Sequence, residues 1–218
     1  MFNLIAKDIL VQKKQLPLSF AYILLIVFAF QSVGKAMFAV SIVAFTYMMI
    51  MTSCAYEDKN KADILLNSLP LKRSSIVLAK YLSVLVFFLM GTVAYAILTL
   101  VISISGIPIK PNPLSLESFV GGFAGVSLLS GLFLPVFFKL GYIKSKIYNF
   151  ILFFVFFFGV SALSEVLQKQ EIAWMKDITH FIQTKSDALI AVLLLGVILV
   201  FLMISYNVAA WFYKQREF

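Results

Sequence analysis

The residues that most often carry chemistry in proteins are scarce in this chain. It has one histidine, His180, and one cysteine, Cys54, and they lie far apart in the sequence. The sequences GxxxxGK[ST], HExxH and GxSxG, which mark nucleotide, zinc and serine-hydrolase sites, do not occur. The sequence therefore predicts no catalytic residue, no metal site and no bound cofactor, and it contains no thiol pair for a disulfide.

The densest group of polar side chains occupies residues 56–79, in a chain that is otherwise almost wholly apolar. An ionised side chain at the centre of a bilayer costs about 2.5–3.5 kcal/mol on insertion scales, so this segment must lie in water. The polar residues that single it out as a candidate site are Glu57, Asp58, Lys59, Asn60, Lys61, Asp63, Lys72 and Arg73.

A short amphipathic helix is predicted inside this segment, from Ala62 to Leu69, where Pro70 ends it. Its apolar residues are Ile64, Leu65, Leu66 and Leu69, and a stripe of this kind fits a groove on a partner protein. The flanking charges can orient such a partner. The alternative is a solvated loop whose helix rests on lipid headgroups, but acidic residues gain nothing from an anionic leaflet.

The composition defines the class of protein in which this segment sits. Hydrophobic residues make up 62% of the 218 residues and charged residues 13%, whereas a typical soluble domain is about 25% charged. We therefore predict an all-α, polytopic membrane protein. The net charge of +8 is explained by basic loops beside anionic lipid, so no nucleic-acid partner is expected.

Six apolar runs are each long enough to cross about 30 Å of hydrocarbon at about 1.5 Å per residue. Residues 1–15 are expected to form an amphipathic helix at the membrane surface, with Phe2, Ile5 and Ile9 on one face. The predicted spans within the transmembrane domain, 16–213, are 16–33, 36–55, 80–105, 118–138, 147–163 and 188–212. The remaining segments are the 56–79 loop, an outer loop or helix at 164–187 and a tail at 214–218.

The distribution of basic residues predicts the orientation. Six spans place both termini on one side, and 13 of the 18 Lys and Arg residues fall in the segments on that side or beside them. Basic loops face the cytoplasm, so both termini and the 56–79 segment are expected there. Within the fourth span, Gly121 and Gly125 form a GxxxG pair, which predicts close packing against another helix.

The chain resembles the small permease subunits of bacterial ATP-binding-cassette transporters of the ABC-2 type. The resemblance is best to the group that includes exporters of phenol-soluble modulins and bacitracin- or lantibiotic-resistance permeases. The residues that carry it are Glu57-Asp58-Lys59-Asn60-Lys61 with Asp63, Leu66-Asn67-Ser68-Leu69-Pro70, Ile76-Val77-Leu78-Ala79-Lys80-Tyr81 and the tail from Trp211 to Phe218.

This resemblance implies a type V exporter-like fold in the bacterial plasma membrane. Two permeases, identical or sister subunits, would form the pore, and each would dock a cytoplasmic ATPase that binds ATP and Mg. The loop at 56–79 would be the coupling helix, and the substrate would be a hydrophobic or amphipathic peptide. The alternative is a stand-alone immunity or sensor protein that binds a toxic peptide without ATP hydrolysis.

Overall fold

The computed structural model describes residues 2–29, 34, 36–105, 114–169 and 187–216, and these form α-helices with no strand among them. The predicted all-α class is therefore confirmed for this part of the chain. The helices are α1 (Phe2–Leu10), α2 (Leu16–Ala29), α3 (Met37–Lys59), α4 (Ala62–Ser68), α5 (Arg73–Ile104), α6 (Leu116–Leu140), α7 (Tyr142–Lys169) and α8 (Asp187–Gln215).

Four helices within the described residues, α3, α5, α6 and α8, are long and apolar enough to cross a membrane. Helix α2 is apolar but has only 14 residues, or about 21 Å. The last residues of the predicted first span, 30–33, lie outside the described part of the chain. Helix α7 contains the whole predicted fifth span, 147–163, within its 28 residues. The count of six spans stays a prediction.

The helices around the polar segment extend further than the predicted spans. Helix α3 continues to Lys59 rather than ending at residue 55, and α5 begins at Arg73 rather than at residue 80. Hydropathy locates only the apolar part of a helix, so it misses polar turns that project beyond the membrane. Likewise α7 continues to Lys169, which makes residues 164–169 helical. Trp174 and His180, in the rest of the predicted outer segment, lie outside the described residues.

Helix α6 packs against α3 on one side and α8 on the other, and α5 contacts both of these neighbours. Aromatic residues fill the centre: Phe38 of α3 meets Tyr95 of α5 edge to face, with ring centroids 5.1 Å apart. Phe45, Phe87 and Phe133 are buried in the same core. Because lipid is as apolar as these side chains, it is close fit rather than exclusion of water that holds such helices together.

Glycines of α6 permit this close fit, although the register differs from the predicted GxxxG pair. A Cβ atom built on Gly125 would lie 2.8 Å from Cγ2 of Val43, and one built on Gly122 would lie 3.3 Å from the Phe38 ring. A Cβ on Gly121 would meet no atom within 4 Å. The α3–α6 contact therefore uses Gly122 and Gly125, while Gly121 points away from the described part of the chain.

Candidate functional site

The short helix α4 lies at the end of α3, after a tight turn in which Lys61 takes a positive φ of 50°. One of its faces is fastened to the end of α8. Asp63 Oδ2 lies 3.4 Å from Nη1 of Arg216, and Asn67 Nδ2 donates a hydrogen bond to Oη of Tyr213 at 3.0 Å. Leu66 is 4% exposed and belongs to the hydrophobic core. Helix α4 is thus held in one orientation.

Arg73, the first residue of α5, joins the same assembly from the other side. Its Nη1 donates hydrogen bonds to the carbonyl oxygens of Lys214 and Arg216, at 2.9 and 3.1 Å. The last carbonyls of a helix have no partner within it, and a cation there also opposes the negative end of the helix dipole. Arg73 therefore caps α8 and links the beginning of α5 to the end of the last described helix.

The opposite face of α4 is apolar and exposed. Leu65 is 65% exposed, and Ile64 and Leu69 are also exposed. Lys61 and Lys72, at either end of α4, are exposed as well. Because the sequence predicts that a partner docks on this segment, we call Lys61, Ile64, Leu65, Leu69 and Lys72 the docking surface. A rigidly held helix with an apolar outer face and charged ends has the form of a helix that enters a groove.

Beneath α4 lies a cluster of four charged side chains, which we call the charge cluster: Lys7, Asp8, Glu57 and Lys80. Lys80 is 5% exposed, and its Nζ lies 2.6 Å from Oε2 of Glu57 and 3.2 Å from Oδ1 of Asp8. The same nitrogen donates a hydrogen bond to Oγ of Ser53 at 2.8 Å. A buried cation needs partners of this kind, because transfer from water without them is very costly.

Lys7 completes the charge cluster from its edge. Its Nζ pairs with Oε1 of Glu57 and lies 3.3 Å from Oδ1 of Asp8, so two cations balance two carboxylates. Burial alone raises the pKa of Asp8, but the attraction of Lys80 and Lys7 outweighs it and holds the pKa below its ordinary value. The charge cluster thus fastens α1 to α3 and α5.

Helix α1 turns a different face to the rest of the chain from the apolar face that its spacing predicts, while its place at the membrane surface stays a prediction. Leu4 and Ile9 pack against the core, and Asp8 faces inward, whereas Phe2 is exposed. The predicted apolar face of Phe2, Ile5 and Ile9 therefore does not pack as a whole against the core. An ion pair, which hydropathy cannot register, sets the rotation of this helix.

The predicted docking residues are divided by the structure into two groups. Glu57 and Leu66 are buried within the chain, and Asp58, Asp63 and Arg73 are partly buried, so these five contribute to internal contacts. The exposed residues are Lys59, Asn60, Lys61, Leu65, Leu69 and Lys72.

Asp63 shows how firmly α4 is packed against α8. Burial raises the pKa of its carboxyl above the ordinary value, and the negative charges of Glu57 and Asp58 raise it further. The Arg216 guanidinium lowers this pKa but does not offset the rise. A freely solvated loop residue would not show such a balance.

Sequence reasoning missed the charge cluster and the tie to the last helix. Lys80 is the first residue of the predicted third span, 80–105, yet the structure places it two turns inside α5, in the apolar run Ile76-Val77-Leu78-Ala79-Lys80-Tyr81-Leu82. A lysine inside such a run is itself a signal, because it requires an acidic partner. Asp8, on a helix with few acidic residues, is the complementary signal.

The fold and composition together define a multi-pass helical membrane protein. The family model for ABC-2 family transporter proteins matches residues 3–214. This chain therefore belongs to the ABC-2 family of transporter proteins, whose members are membrane components of transporters. The comparisons with curated proteins and with solved structures return no match.

Proposed function

We propose that this chain is the permease subunit of an ATP-driven exporter in a bacterial plasma membrane, powered by a separate ATPase that docks on α4. The observation that carries the proposal is the docking surface. Leu65 and its exposed apolar neighbours stand on a helix whose other face is fastened to α8. A force applied to α4 can therefore reach the transmembrane helices.

In this proposal the chain crosses the membrane six times with both termini in the cytoplasm. Helices α2 and α7 supply the two spans besides α3, α5, α6 and α8. Two such permeases, identical or sister subunits, form the pore. ATP and Mg are bound by the partner ATPase. A hydrophobic or amphipathic peptide is the proposed substrate, on the strength of the resemblance and of the aromatic, largely uncharged spans.

Docking is tested by co-expressing the chain with the ATP-binding-cassette ATPase encoded beside it and measuring how much ATPase co-purifies. The variant is Leu65→Asp with Leu69→Asp, because both side chains are exposed. Leu66 is not used, since its burial in the core would confound docking with folding. We expect loss of at least 90% of the ATPase, because each substitution would bury an unpaired carboxylate in an apolar groove, at a cost of several kcal/mol.

The matched control is Leu10→Asp, which alters a leucine of similar exposure, 62%, on α1. The amount of ATPase is divided by the amount of permease recovered from the membrane, so that poor insertion does not imitate poor docking. Wild-type recovery of ATPase with the double variant would show that the docking surface is misassigned. Absence of any such ATPase gene from the neighbourhood would favour the stand-alone sensor or immunity protein instead.

A further inference from the structure

A cleft runs along one face of α3, on the side away from the aromatic core. Its wider part is a cavity of about 690 Å³ between α2, α3 and α7, and its narrower part is a cavity of about 380 Å³ towards the end of α3. The two parts share Met48 and Met51 as lining residues. Each volume lies within the range of about 300–1,000 Å³ that small-molecule sites occupy.

The lining changes in character along the cleft. The narrower part is lined by Lys59, Gln15, Thr52 and Tyr56, and Gln15 Nε2 donates a hydrogen bond to the Tyr56 hydroxyl at 3.1 Å. The wider part is lined mainly by apolar and aromatic side chains, among them Phe150. The cleft therefore has a polar end and an apolar end, as a site for an amphiphilic molecule must have.

The charged side chains along the cleft have one sign, with Lys59 in the narrower part and Lys146 in the wider part. Lys59 and Lys146 are the charged side chains among the described residues that line the two parts, and both are exposed. Asp58 is not a lining residue, and its Oδ1 lies 3.6 Å from the Cβ position of Gly141, with the Arg216 guanidinium 3.1 Å from the same point. Asp58 thus has a cation other than the two lysines in its neighbourhood, and the cleft offers Lys59 and Lys146 to an anion.

The length of the cleft matches one leaflet. Lys59 and Ala44, which line its two ends on α3, are 15 residues apart in the sequence, or about 22 Å along the helix axis. Half of a bilayer, with its headgroup layer, measures about 20–22 Å. Lys146 lines the wider part, one helical turn into α7 from Tyr142, which lines the narrower part with Lys59. A lysine side chain is long enough to extend over one turn, so the Lys146 ammonium can reach headgroup depth.

We propose that this cleft binds an anionic phospholipid of the leaflet next to α4. The headgroup phosphate lies between Lys59 and Lys146, and an acyl chain follows Met48 and Met51 towards Ala44. A second copy of the chain is the competing occupant. A two-fold contact through this face would bring the two lysines of one copy close to the same two lysines of the other. The described lining residues include no carboxylate that could neutralise them, so like charges would oppose this contact.

The test measures lipid binding to the purified full-length protein in detergent by native mass spectrometry. Phosphatidylglycerol is titrated against phosphatidylcholine with the same acyl chains, and no ATPase is needed, so failure of the docking proposal would not affect the result. We expect a preference for phosphatidylglycerol. The affinity should fall about fivefold for Lys59→Gln or Lys146→Gln and about 30-fold for both.

Two further variants make the measurement specific to the cleft. Lys13→Gln with Lys144→Gln removes the same charge from exposed lysines outside the lining and should keep the preference. Ala44→Phe adds bulk at the apolar end without altering charge and should weaken binding of phosphatidylglycerol. Melting temperatures measured without lipid establish that each variant is folded. If the double lysine variant does not fold, the two single variants are compared with wild type instead.

Equal losses of phosphatidylglycerol affinity in the cleft double variant and in the Lys13→Gln, Lys144→Gln control would overturn the proposal, because binding would then follow net charge alone. Unchanged phosphatidylglycerol affinity in Ala44→Phe would overturn it as well. A dimer in lipid-free detergent that Ala44→Phe dissociates would assign this face to a second copy and would also refute the lipid site.

Discussion

Lys80→Met removes the central cation of the charge cluster and should be among the most destabilising single changes in the chain. Lys80 is buried, and its nitrogen contacts Glu57, Asp8 and Ser53. Methionine preserves the length and much of the volume of the stem, so the change tests charge rather than packing. The variant leaves two carboxylates in the interior with Lys7 as the remaining cation.

The expected cost follows from this imbalance. Removing one partner of a buried ion pair costs about 3–5 kcal/mol, because the other charge is left uncompensated. Lys7 still contacts both carboxylates, so the loss should lie near 3 kcal/mol. A total stability of about 5–15 kcal/mol makes this a large fraction.

The assay is the free energy of unfolding of the purified protein, measured by titration with sodium dodecyl sulfate in mixed micelles. Lys72→Met, at an exposed lysine one residue before α5, is the matched control. It should change the free energy of unfolding by less than about 0.5 kcal/mol.

A second variant distinguishes charge balance from other causes. Glu57→Gln combined with Lys80→Met restores a cluster of one cation, Lys7, and one carboxylate, Asp8. The double variant should be more stable than the sum of the single losses predicts, by about 1–3 kcal/mol. Strict additivity, or a Lys80→Met loss no larger than that of Lys72→Met, would refute the ion-pair account of how α1 is held.

Two further predictions concern helix packing and pH. Gly125→Ala should lower the free energy of unfolding by about 1–3 kcal/mol, because the added Cβ would lie 2.8 Å from Val43. Gly121→Ala, the control, should be neutral or stabilising by up to about 1 kcal/mol. A comparable loss of stability in both variants would mean that Gly121 is also covered. Because the pKa of Asp8 is depressed from 3.8, the stability margin of wild type over Asp8→Asn should be complete above that pH and decline as the pH falls through the lower folded pKa. The two proteins are compared by melting from pH 7 to pH 3, and a margin that grows in acid would reverse the assignment.

The apolar helices were predictable because hydropathy reports composition over a window of about 20 residues. Among the described residues, the four helices that are long and apolar enough to cross a membrane all overlap predicted spans. Their ends were not predictable in the same way. The last turn of α3 and the first two turns of α5 are polar or mixed, and whether such turns stay helical depends on partners from elsewhere in the chain.

The sequence could not predict which residues of the candidate site are buried, for a related reason. Glu57 and Asp58 are adjacent acidic residues with no difference in sequence that says which is buried. Burial of Glu57 follows from the positions of Lys7 and Lys80, which come from two other helices. Spacing along one helix likewise could not distinguish Gly121 from Gly122, since the rotation of α6 is set by its contact with α3.

The bonds from Arg73 to the final carbonyls have a mechanical consequence. Helix α8 has 29 residues, or about 43 Å of length, so its far end is on the opposite side of a bilayer from α4. When α4 and the beginning of α5 shift, α8 must tilt with them or the bonds from Asp63, Asn67 and Arg73 must break. A tilt of about 10° moves the far end of a rod of that length by about 7 Å, so a small rotation at one side of the membrane becomes a displacement of several ångströms at the other.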